Sequence, residues 1–234
     1  MQLFSRAGAT VNFRGATVLL PSLAAGHVGE TAVEELIQRF PCKHVGWLED
    51  ANILPMVGKQ APRSGSRSAT SLCPVATALE VYRVESEGGA TPLYIIQQRA
   101  PAMAGRQAAA ACALATLLKT EGVATAIVLC GLDSQLRRDQ EIEGPEVRFM
   151  GTSDLEDVCK GVPGVVALDP YLASEENTVH ALIPPWPLVR QFKGVCALHY
   201  VLLCAFVQEG DNSDKAHNLA EAAARVLVAC KVLL

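Results

Sequence analysis

Between Ala16 and Gly58 the hydrophobic pattern changes period twice, and that restricts the chain to few folds. Ala16-Thr17-Val18-Leu19-Leu20-Pro21-Ser22 is a short apolar run. It meets a glycine turn, Gly26-His27-Val28-Gly29, and then Val33, Leu36, Ile37 and Phe40 mark the i, i+3, i+4, i+7 stripe of a helix with one buried face. Glu30, Glu34 and Glu35 lie in the first turns, where the helix dipole favours negative charge, and Pro41 ends the helix after Arg39. A second apolar run, Val45-Gly46-Trp47-Leu48, follows at once. Strand, helix, strand in this order predicts a parallel βαβ unit with a right-handed crossover.

The rest of the chain extends that plan. Residues 1–14 carry no strong signal and are expected to be weakly attached. Leu54-Pro55-Met56-Val57-Gly58 places a proline, which cannot donate to a ladder, inside an apolar run. It belongs at an edge or a bend, covered either by the chain's own loop or by a partner. Residues 59–74 are rich in Gly, Ser and Pro, with Lys59, Arg63 and Arg67 and no acid. They predict a flexible loop, or a basic arm for an acidic surface. Residues 76–84 and 92–99 read as an antiparallel hairpin turned by Gly88-Gly89.

The alanine-rich stretch 104–120 predicts a helix closed by Gly122. Val123–Cys130 predicts a central strand, apolar on both faces. Residues 131–146 are charged and predict a surface excursion. Val147–Met150, Val165–Leu168 and Thr178–Ile183 predict short strands, and Asp154–Cys159 a helical turn. After Pro184-Pro185-Trp186-Pro187, residues 188–208 predict a long buried helix. Gly210 ends it, Asp211, Asn212 or Ser213 caps the next, and the last helix buries Leu219, Ala223, Val226, Leu227 and Cys230. The expected fold is a single α/β domain over residues 1–234, with a mainly parallel sheet, helices on both faces and an attached antiparallel hairpin.

Composition narrows the function. Half the residues are hydrophobic and 19% are charged, which excludes general disorder. The net charge of −4 leaves no broad basic field for nucleic acid or an anionic membrane. The apolar run Val195–Val207 is too short to span a bilayer, and no basic then apolar leader is seen. The eight cysteines form no C-x-x-C pair and mostly sit in apolar runs, as buried thiols of a reducing compartment do; a cytoplasmic or nuclear protein is expected.

Reactive constellations are scarce. Neither G-x-S-x-G nor H-E-x-x-H occurs, Gly58-Lys59 lacks the spacing of a phosphate loop, and Cys and His are not clustered for zinc. Gly26-x-x-Gly29 is part of a dinucleotide fingerprint; it reads as an anion-binding turn or as an ordinary one. His27, in that turn, is the histidine to test as a catalytic base. Asp133 and Asp169 follow strand-like runs, where α/β proteins place ligands, but Asp is also a common turn residue. Trp47, beside Glu49 and Asp50, reads as a partner anchor or as helix packing.

Two blocks carry a resemblance. Leu20-Pro21-Ser22, Gly26-x-Val28-Gly29 and Leu54-Pro55-Met56-Val57-Gly58 are similar to the N-terminal half of the proteasome assembly chaperone 2 family. Phe206-Val207-x-Glu209-Gly210-Asp211-Asn212 is similar to the joint between that family's last two helices. The resemblance implies a non-enzymatic chaperone of the proteasome core particle. Such a protein pairs with proteasome assembly chaperone 1, holds the ring of α subunits, promotes its formation and prevents wrong ring association, with no cofactor or metal. It also tips Leu54, Pro55, Met56 and Val57 towards a partner contact, with Trp47 a further candidate from its own position, while Gly26, Gly29, Gly58, Gly210, Asp211 and Asn212 read as turn residues. The rival reading is a small-molecule or nucleotide-binding α/β enzyme using Gly26–Gly29. Some assembly chaperones end in hydrophobic-Tyr-X; here Lys231-Val232-Leu233-Leu234 has Leu233 in the tyrosine's place, so that docking contact is not carried over.

Overall fold

The computed structural model describes residues 1–59, 75–85, 91–172, 183–195 and 197–233. The chain opens with strand β1 (Gln2–Ser5), β2 (Thr17–Pro21), helix α1 (Val28–Arg39) and β3 (Cys42–Glu49). A small ribbon, β4 (Val57–Lys59) with β5 (Val75–Thr77), precedes the hairpin β6 (Leu79–Val84) and β7 (Leu93–Gln98). Then come α2 (Gln107–Thr120), β8 (Thr125–Asp133), β9 (Val147–Gly151), α3 (Ser153–Lys160), β10 (Val165–Ala167), α4 (Trp186–Lys193), β11 (His199–Val207) and α5 (Ser213–Ala229). Among the described residues, nine strands form one sheet in the order β1-β3-β6-β7-β2-β8-β11-β9-β10. Its middle, β7-β2-β8-β11, is parallel throughout, and the hairpin joins it edge-on.

Alternation in the central strands sorts side chains to two covered faces. Val18, Leu20, Val128, Tyr200 and Leu202 meet α2 and α4 through Leu114, Leu118, Leu188 and Phe192. Leu19, Ile127, Leu129, Val201 and Leu203 meet α1, α3 and α5 through Val33, Leu36, Leu155, Leu219 and Leu227. This is the single α/β domain with helices on both faces, and the hairpin, α2 and the β8 strand fall where the pattern placed them. Gly122 takes φ +71°, the left-handed value that favours glycine after a helix.

Four expectations are corrected. The buried run after Pro187 is not a long helix: α4 stops at Lys193 and residues 199–207 form β11, parallel to β8 with Cys204 opposite Cys130. A run apolar all round suits a strand buried on both faces as well as a buried helix, and here the open edge of β8 decides. The segment Phe206–Asn212 therefore joins a strand to the last helix. The β2-α1-β3 unit has parallel strands, but they are not neighbours, because β7 and β6 lie between them. Residues 1–14 are built into the body: β1 pairs antiparallel with β3, and Phe13 is fully buried with its ring 4.8 Å from that of Tyr94. At the start of α5, Asn212 stands at the N-cap but bonds back to the Gln208 and Gly210 carbonyls, and only Asp211, one residue earlier, serves the helix, accepting the Ser213 amide at 2.9 Å. The turn at Gly88-Gly89, all but Ile183 of the strand expected at Thr178–Ile183, and all but Lys59 of the loop expected at 59–74 lie outside the described residues; Ile183 is not in a strand and Lys59 ends β4.

Candidate interaction surface

The apolar segment 54–58 is anchored at its start and free beyond. Ile53 is buried and bridges Ala102, and the Leu54 amide donates to the Pro101 carbonyl at 3.0 Å. After Pro55, which has no N–H to donate to a ladder, the chain next pairs in the separate β4–β5 ribbon. Among the described residues, Leu54, Met56 and Val57 are exposed, Val57 to 74%, and Val75 on the facing strand of the ribbon is exposed as well.

Across from this segment lies the β1–β3 edge. Gly46 permits it: a side chain there would stand 2.4 Å from the Phe4 carbonyl oxygen, so only glycine lets β1 approach so closely. The approach sets Phe4 opposite Trp47 in register. Phe4 is exposed and Trp47 half-buried, its indole edge-on to the His44 ring at 4.8 Å. Phe4, Trp47, Met56 and Val57 line an open groove of ≈ 450 Å³ that has Leu79 among its lining residues. Trp47 and 54–57 thus share one patch, rimmed by Glu49 and Thr77. Phe4 and Val75 escaped the sequence reading. The only signal for Phe4 was its place in the short Gln2-Leu3-Phe4-Ser5 run, which needs β3 beside it to have meaning.

The glycine turn is filled by the chain itself. Gly26 has φ +67° and His27 φ +52°, a bend that starts α1. Gly29 lies inside α1, where a Cβ would come within 2.3 Å of the Leu129 carbonyl oxygen. A Cβ on Gly26 would meet Asn212 and Val207 at 3.0 Å. The spacing therefore serves close approach of helix, sheet and the β11–α5 loop. The His27 side chain points to solvent, with Nδ1 2.8 Å from Oε1 of the largely buried Glu30. Burial pushes the Glu30 carboxyl up, against the hydrogen bond from His27. The strand-end acids are engaged as well: Asp169 pairs with Arg138 at 2.9 Å, and Asp133 accepts the Gln135 amide. A cleft of ≈ 260 Å³ does open beyond the end of β2, between α2 and α4, but Pro21, Ala111, Leu114 and Leu188 make it mostly apolar.

One charged lock braces the platform behind the patch. Arg99 bridges Glu34 of α1 at 2.8 Å and Glu80 of β6 at 2.5 Å, Glu80 accepts from the Tyr82 hydroxyl, and Gln97 donates to Glu34. Glu80 is 2% exposed, so its charge is tolerable only with these partners.

Comparison with known proteins adds to this geometry. The family model described as PAC2 family matches residues 18–231. Proteasome assembly chaperone 2 of Xenopus tropicalis is 26% identical over 212 residues, covering 87% of this chain and 78% of that protein. Its namesake in Nematostella vectensis is 27% identical over 222 residues, covering 89% and 88%. Among solved structures, Pyrococcus furiosus PbaB, described as an archaeal proteasome activator, aligns with TM-score 0.65 over 97% of this chain and 89% of its own, at 14% identity.

Proposed function

The chain belongs to the PAC2 family, and on that premise we propose that it is a non-catalytic chaperone for assembly of the proteasome core particle. The names of its relatives support the reading. The observation that carries it is the apolar strip of Leu54, Met56 and Val57 beside Phe4, held open to solvent on a braced sheet edge. Monomeric proteins seldom leave such a strip uncovered unless something binds there. In the fuller form of the proposal, the chain pairs with proteasome assembly chaperone 1 in the cytoplasm or nucleus, and the pair holds the α-subunit ring, helping it form and keeping rings from associating wrongly. Trp47 and 54–57 supply the contact with one of these partners.

The test is co-expression with tagged chaperone 1 and α subunits, followed by pull-down. The wild-type chain is expected to come down with both, and the double variant Met56→Lys, Val57→Lys to lose at least one. A chain that stays a soluble monomer and ignores both would sink the proposal. The enzymatic rival predicts a saturable rise in melting temperature with nucleotides.

A further inference from the structure

A second cluster, apart from the apolar strip, sits on the seam between α1 and α5. Glu35 of α1 faces His217 and Glu221 of α5, which are four residues apart and so share one helix face. One ligand atom from each side chain lies within 4.8 Å of the other two. His217 Nδ1 is already 2.8 Å from Glu35 Oε1. Beneath them Val33 and Leu36 pack with Leu219, Ala220 and Ala223 in one buried cluster, so the two helix backbones are fixed relative to each other. The cluster's cation is Arg39, one turn along α1 from Glu35, which pairs with Glu221.

We propose that Glu35, His217 and Glu221 form a site for a first-row divalent metal ion such as Zn²⁺. Zn²⁺ takes both imidazole nitrogen and carboxylate oxygen as ligands, whereas Ca²⁺ and Mg²⁺ are held through oxygen, so His217 favours the first-row transition metal. Ligands about 2.1 Å from a tetrahedral ion stand roughly 3.4 Å apart, so side-chain rotations close the site without moving a helix. Two carboxylates against the Arg39 guanidinium leave the cluster acidic. Arg39 competes for Glu221 and must swing away when the ion enters. The fourth position faces solvent and is left for water or a partner's side chain. The inference is independent of the chaperone reading, since the ion would clamp α1 to α5 whatever the apolar strip binds.

The experiment takes the full chain, stripped with chelator, and titrates it with Zn²⁺ by calorimetry and with Co²⁺ by visible absorption. One equivalent should bind with a spectrum of nitrogen and oxygen ligation. His217→Ala and Glu35→Gln should each weaken binding about tenfold or more. Arg39→Gln should strengthen it, the opposite sign from that expected if Arg39 merely supported the fold. Chelator-treated His217→Ala should melt with the wild type, as an exposed position allows; if it melts lower, the near-isosteric Glu35→Gln carries the comparison. No binding to the wild type, a thiolate-type cobalt spectrum, equal affinity in both ligand variants, or weaker binding by Arg39→Gln would each overturn the site.

Discussion

At the scale of single residues, the glycines separate packing from ligand chemistry. Gly29→Ala drives a methyl into the Leu129 carbonyl and should cost about 3 kcal/mol in urea unfolding, at the upper end for overpacking. Gly58→Ala, with nothing within 4 Å of the new atom, should change stability by less than about 0.5 kcal/mol. Glu30 yields a pH signature. Its carboxyl is raised by burial, so the folded chain binds that proton more tightly than the unfolded one. Its contribution to stability therefore falls as pH rises from the unfolded value near 4.5 through the higher folded one. Glu30→Gln should remove that fall, which melts from about pH 4 to about pH 8 would reveal as a flatter profile. Arg99→Met strands Glu80 in the core and should cost about 3 kcal/mol, with part recovered in the double variant with Glu80→Gln, measured as a double-mutant cycle.

Among elements, protection should follow position in the sheet. β8 and β11 have strands on both sides and helices on both faces, so their amides should exchange slowest, while the β4–β5 ribbon should exchange fastest; mass-detected hydrogen exchange would report the order. The same contrast explains what could be read in the sequence. α1 is legible because stripe, dipole charge and stop signals agree within one element, and α2 because an alanine-rich stretch runs up to Gly122. The β6–β7 hairpin is legible because Tyr82, Val84, Tyr94 and Ile95 favour strands close together in the chain. β11 is not. Its run is apolar at every period, and what makes it a strand is β8, 74 residues away, with His199 opposite Thr125. The candidate surface divides in the same way. Met56 and Val57 stand out as apolar residues beside a proline, whereas Phe4 becomes part of the patch only through pairing with β3.

For the molecule as a whole, the apolar strip should govern behaviour in solution more than stability. Met56→Lys with Val57→Lys changes exposed side chains, so melting should move little, while self-association of the isolated chain, followed by light scattering, should fall. The sheet order has a consequence for how the chain is made. β11 follows the other strands of this sheet in the chain, yet it takes a seat in the interior, between β8 and β9, which are synthesised earlier. Until it arrives, β8 has one bare flank, and β9 with β10 has nowhere to dock. A nascent chain halted anywhere before Val207 is thus an unclosed sheet with a greasy margin, which is the form in which β proteins clump. Chains cut before His199, which lack β11, are accordingly expected to aggregate where the full chain stays dispersed, and sedimentation of both after expression would check it.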